Sequence, residues 1–223
     1  MRTRPPIMLL ALLTWYLVFS AIMAISPADR QTWTVVNILP VALVGVLIGS
    51  YRLLPLSHLS YLLITVWLTL HTIGAHYTYA KVPMGFWLEH TFEMDRNHFD
   101  RIVHFSFGLL TTYPVRELFM RLFHVRGLLA NYLTIITPLG LSGLWEILES
   151  WFARTVRPEL GQAALGSQGD IWDAQKDMAA ALYGSIVCLA VVLLAQSVRR
   201  SSQTSEETLE ESPVTDGDLV PGN

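Results

Sequence analysis

The chain has 223 residues, 52% of them hydrophobic and 15% charged, with a formal net charge of −3 and one cysteine. A mean hydropathy of +0.41 leaves too little polar surface to cover a soluble globule, so the chain reads as a membrane protein. Without a basic stripe it offers no nucleic-acid surface, and the lone Cys188 can form neither an intrachain disulfide nor a thiolate metal site.

A membrane helix needs about 20 mostly apolar residues, and by that measure the sequence predicts an all-α, polytopic transmembrane bundle of about six spans. The first, Ile7–Ile25, follows a basic start like that of a signal peptide. Its apolar run is long and no A-x-A site follows, so it is expected to stay as an anchor. The second, Thr34–Ser50, is short and contains Pro40, and the third, His58–Ala80, carries His71, His76, Tyr77 and Tyr79. The segment Lys81–Asn97 mixes Phe86, Trp87, Leu88 and Phe92 with Glu89, Glu93, Asp95 and Arg96, a composition suited to the headgroup region.

The fourth span, His98–Met120, is charged at both ends and holds Pro114, which kinks it unless neighbours satisfy the freed carbonyl. The fifth is Leu128–Trp151. Gly166 and Gly169 then mark a turn and Asp170 can cap the sixth, Asp177–Val198, where Ala181 and Gly184 allow close helix approach. Residues 1–198 thus form a single transmembrane domain. The stretch 199–223, rich in Ser, Thr, Glu, Pro and Gly, reads as a disordered acidic tail. No internal repeat suggests a duplicated transporter.

Arginines flanking the spans favour a cytoplasmic N-terminus and tail. Six alternating crossings then bring the charged ends of spans three to six to one side of the membrane, the non-cytoplasmic one. Residues three or four apart share a helix face. Asp100 and His104 are so related, with Arg101 beside them; Glu146 and Glu149 follow in the fifth span above Ser142, and Asp173, Lys176 and Asp177 open the sixth.

Three chemistries fit this layer. His104, Asp100, Glu146 and Asp173 are candidate acid/base groups, with Arg101, Glu149 and Lys176 as substrate-binding candidates and Arg101 suited to a phosphate. Asp173, Asp177 and Glu146 could hold a divalent cation, though the cofactor is not specified by any motif. The same groups could line an ion or proton path. Against these stand structural readings. Asp100, Asp173 and Asp177 lie where a helix dipole favours carboxylates, and the charges could neutralise one another. His71 and His76 point to different faces as bundle residues, and Trp145, Trp151, Trp172 and Tyr183 suit an interfacial belt.

The motifs GAHYTYAKVP (Gly74–Pro83), RNHFDRIVHFSFGLLTTYPVRE (Arg96–Glu117), LWEILE (Leu144–Glu149) and QGDIWDAQKDM (Gln168–Met178) resemble the YjdF-type family of bacterial inner-membrane proteins, a domain of unknown function. The resemblance implies a bacterial inner-membrane location and a helical fold, and no established activity. More distantly, Asp100, Arg101, His104 and Phe105, with Glu146 and Asp173, look like the pattern of VanZ-like membrane proteins. Glu149 and Asp177 depart from it toward acid. That likeness implies a cell-envelope role near lipid-linked substrates. The expectation is a multi-pass inner-membrane protein with a polar site near the non-cytoplasmic face that acts on or binds a phosphorylated lipid or headgroup. Its alternatives are a small ion or solute transporter and a purely structural component. The lipid bilayer is its expected partner, nucleic acid is not, and no motif sets an oligomeric state.

Overall fold

The structure is a computed structural model that describes residues 6–156, 161 and 166–210, with side chains in the last helix as far as residue 203. All regular structure among the described residues is helical: α1 (Ile7–Met23), α2 (Arg30–Val36), α3 (Ile38–Ser50), α4 (His58–Tyr77), α5 (Pro83–Thr91), α6 (Phe99–Leu122), α7 (Gly127–Thr155) and α8 (Asp173–Glu210). Four stretches are long and apolar enough to cross a membrane: Arg30–Ser50, His58–Tyr77, Gly127–Thr155 and Asp173–Gln203. The other two expected spans are α1, apolar but 17 residues long, and α6, which has 24 residues and carries the charged motif.

Local chemistry sets the helix ends. Asp29 and Ser57 accept hydrogen bonds from the backbone N–H groups of Thr32 and Ser60, capping α2 and α4. Asn37 separates α2 from α3, and its side-chain amide donates to the Trp33 carbonyl at 2.7 Å. Where a headgroup loop is expected, α5 begins on Pro83, a residue suited to the first helical position, and exposes Met84, Phe86 and Trp87.

Burial is reversed relative to a soluble protein. Leu128, Ile7, Val41 and Val46 are exposed, whereas His71, Asp100, His104, Glu149, Asp173 and Asp177 are buried. That is the pattern of a bundle whose outside meets lipid and whose ionisable groups face inward. A first core joins Tyr16, Ile64 and Leu68 of α1 and α4 with Leu43, Val44 and Leu47 of α3. A second is made of Tyr79, Val82, Phe99 and Val103, with Leu70, Ile73 and Tyr77 packed against it.

Helix α4 packs against α1 and α6, and α6 against α7. Helices α6 and α8 cross almost backbone to backbone. A Cβ on Gly108 would overlap the Ala181 carbonyl, and one on Gly184 the Phe105 carbonyl. The chain divides into two compact units, 1–189 and 190–223. Within the second, the helix continues to Glu210, past Arg199 where the composition turns polar. Residues 211–223, the rest of the expected acidic tail, lie outside the described residues.

Candidate functional site

The site is anchored where the chain enters α6. Asn97 is fully buried, donates to the Val82 carbonyl at 3.0 Å and accepts from the Phe99 N–H at 3.0 Å. Gly85 leaves room for it, since a Cβ there would strike the Asn97 side chain. Gln168 clamps the same residue by its main chain, donating to the Asn97 carbonyl at 2.8 Å and accepting from its N–H at 3.2 Å. The segment 166–170 is thereby docked on the start of α6.

That docking assembles an ion-pair cluster. Arg96, 5% exposed, donates to Asp173 Oδ1 at 2.6 Å and to the Ser167 and Gly166 carbonyls at 2.7 and 3.2 Å. Arg101 donates to Asp170 Oδ2 at 2.6 Å and lies 3.5 Å from Asp173 and 4.0 Å from Asp177. Its other terminal nitrogen donates to His98 Nδ1 at 3.0 Å, which leaves His98 Nε2 as the donor to Asp95, 3.1 Å away. Lys176 donates to Asp170 Oδ2 at 2.7 Å. The hydrogen bond from Lys176, then that from the Trp172 N–H, hold the Asp170 carboxyl down at about 2.

A second group centres on His104. His104 Nδ1 shares a hydrogen bond with Ser142 Oγ at 3.0 Å, while Nε2 faces Glu146 at 3.2 Å and Asp100 at 3.7 Å. A ring with a hydroxyl on one nitrogen and carboxyls on the other is equipped to take and return a proton. Glu149, nearby in sequence, instead accepts from Trp145 Nε1 at 2.6 Å.

Helix α4 contributes through an unusual turn. Thr78 and Tyr79 both have positive φ, 58° and 51°, which folds Tyr79 back across Gly74. A Cβ on Gly74 would meet the Tyr79 ring, whose hydroxyl reaches His71 Nδ1 at 2.8 Å. Asp100, His104, Ser142, His71 and Tyr79 line a cavity of about 280 Å³ together with mostly apolar residues, among them Leu39, Leu43, Trp67, Phe107 and Leu141. Glu146, which faces the same ring nitrogen of His104 as Asp100, lines a wider cleft of about 650 Å³ between α7 and α8.

The residues expected to act together thus fall into two groups. Asp100, Glu146 and Ser142 meet around His104, and Asp170, Asp173 and Asp177 gather around Arg101, with Lys176 on Asp170. The guanidinium of Arg101 and the amine of Lys176, expected on a substrate, are engaged by Asp170. Among the described residues no three His, Cys, Asp or Glu side chains form a group able to hold a metal ion, and Asp173 is bound to Arg96.

Two participants were not singled out by sequence: Arg96 looks like one more charge of a headgroup segment and Asp170 like a cap, whereas Tyr79 stands with His71, His76 and Tyr77 in the third span without a role of its own. The spacing of Asp170, Asp173 and Lys176 was the available signal for the second. Nothing local foretells a left-handed pair at Thr78 and Tyr79.

The sequence pattern of the family described as Predicted membrane protein (DUF2238) matches residues 8–198. The Inner membrane protein YjdF of Escherichia coli (strain K12) is 36% identical over 189 residues, covering 82% of this chain and 86% of that relative. No solved structure matches the chain.

Proposed function

The chain belongs to the DUF2238 family of membrane proteins, and from that premise we propose that it is a bacterial inner-membrane protein that binds an amphiphilic lipid and exchanges a proton with its headgroup at His104. The inner-membrane location rests on the name of the Escherichia coli relative. The observation that carries the functional reading is the cavity of about 280 Å³, whose mostly apolar lining includes a linked polar group of Asp100, His104 and Ser142. Ligand sites are mostly apolar with a few convergent polar groups, and this one lies in a bundle whose exposed surface suits lipid.

In this reading acyl or other apolar groups lie against Leu39, Leu43 and Leu141, and the headgroup meets His104. Ser142 fixes the ring through Nδ1, and Glu146 stands at Nε2 to pass a proton on. Arg96, Arg101 and Lys176 serve as positioning residues that hold the segment 166–170 over the site, so a phosphate is not their partner.

The test is lipid analysis of protein in nanodiscs. Wild type should retain lipid in native mass spectra, and Leu141→Trp, which fills the cavity from its lipid-exposed wall, should lose it; equal occupancy would sink the reading. His104→Gln should stay folded, retain lipid and lose any lipid conversion seen in extracts. Loss of folded protein would favour a structural network instead. A second reading, proton or ion transfer, is favoured by Glu146, which faces His104 and lines the cleft of about 650 Å³. Vectorial uptake into proteoliposomes without lipid conversion would select it.

A further inference from the structure

Resting on the lipid-binding reading, we infer that the cavity selects an organic ammonium: the headgroup seated in it carries a positively charged amine, held by Asp100 and the surrounding aromatic rings. The Asp100 side chain is 9% exposed and lines the cavity. It makes no hydrogen bond among the described residues, and the nearest ring nitrogen of His104 stands 3.7 Å away, beyond hydrogen-bond reach. A buried carboxyl in this state is costly unless a partner completes it.

Among the described residues no arginine or lysine forms an ion pair or hydrogen bond with Asp100. Arg96 is committed to Asp173 and the loop carbonyls, and Arg101 and Lys176 to Asp170. What the protein does supply is aromatic surface. Trp67 packs on Phe107 with centroids 4.9 Å apart, and His71 lies 5.7 Å from Trp67 and 5.6 Å from Trp145, edge to face with the latter. Trp67, Trp145 and Tyr79 all line the cavity.

An aromatic face attracts a cation through its quadrupole and asks for no hydrogen-bond donor, and a neighbouring carboxylate adds charge of the right sign. Other headgroups fit less well. An anionic group would meet Asp100, with Glu146 at the same ring nitrogen of His104, and no arginine or lysine is among the residues that line the cavity. A neutral alcohol would leave the carboxyl without a counter-charge. An ammonium bearing an apolar chain satisfies both the carboxyl and the rings, and its chain continues along Leu39, Leu43 and Leu141.

The probes are hexyltrimethylammonium and 1-hexanol, titrated into purified full-length protein in phosphatidylglycerol nanodiscs, with tryptophan fluorescence and thermal shift as readouts. Hexyltrimethylammonium should bind saturably and about tenfold or more tightly than hexanol, the scale of a desolvated cation–π contact with a counter-charge. Asp100→Asn should lose that preference while keeping hexanol binding, and Asp100→Glu should recover part of it. Equal binding of both probes, unchanged in Asp100→Asn, overturns the ammonium assignment and leaves the lipid-binding reading standing. Binding of neither overturns both. The comparison of the two probes on wild type stands even if a variant fails to fold. Adding phosphatidylethanolamine to the nanodiscs decides the source. Competition with hexyltrimethylammonium identifies a lipid amine, and an unchanged affinity identifies a free amphiphilic cation.

Discussion

Arg96 bonds a carboxylate and two carbonyls at once, so its removal leaves Asp173, Ser167 and Gly166 short of a donor inside the protein. Breaking a buried ion pair from one side costs about 3–5 kcal/mol, and Arg96→Ala should show a destabilisation of that order in denaturant unfolding in detergent. Arg96→Lys keeps the charge but not the fork of donors and should fall between. Asp170 is a different case because it titrates near solvent. Its folded value of about 2 lies below the ordinary 3.8, so its contribution is complete above 3.8 and is lost as pH falls through about 2. The groups facing it are Lys176, Arg101 and, at 3.8 Å, Arg96. Hydrogen exchange of the amides from Ser167 to Asp173, corrected for intrinsic rates, should therefore loosen over that acidic window in wild type. In Asp170→Asn the protection should be weaker already at neutral pH, with no such transition. At this scale the sequence exposed Asp100, His104 and Glu146 because helical spacing puts chemistry on a face. It could not reveal that Arg96 and Asp170 complete the layer, since those pairings depend on docking a segment some seventy positions away.

Among the helices, the crossing of α6 and α8 is the most sensitive contact, because backbone atoms occupy the space where a side chain would begin. Gly108→Ala and Gly184→Ala should each destabilise by roughly 1–3 kcal/mol as the helices are forced apart. Gly45→Ala in α3, where nothing lies within 4 Å, should be neutral or slightly stabilising. Thermal unfolding of the three variants in one detergent makes the comparison. The long helices were legible from runs of apolar residues, and Ala181 and Gly184 already suggested close approach. The break at Asn37, the helix α5 and the turn at Thr78 and Tyr79 were not, because tertiary contacts such as Tyr79 on His71 decide them.

For the whole molecule, the end opposite the polar layer tells how the helices alternate. Glu117 near the end of α6 accepts from the Ser57 N–H at 2.8 Å, from the Ser57 hydroxyl at 2.9 Å, from the Ser60 hydroxyl and from Arg121 at 2.8 Å. The finish of α6 is thus tied to the start of α4, as antiparallel crossings require. The six-crossing arrangement with a cytoplasmic N-terminus is testable on this chain because its single cysteine, Cys188, is buried. A cysteine introduced at Arg52 should react with an impermeant maleimide only from the cytoplasmic side, and one at Lys81 only from the other. Labelling of both from one side would dismiss the arrangement.

His104 and Glu146 together form a partition: one borders the cavity, the other the cleft. Whatever alters the charge on one face of that partition alters the binding free energy of whatever rests against the other. Thermodynamic linkage makes the effect equal in both directions. A ligand in one space that changes the charge on either side chain should therefore shift the affinity for a ligand in the other, through a pair of side chains 3.2 Å apart.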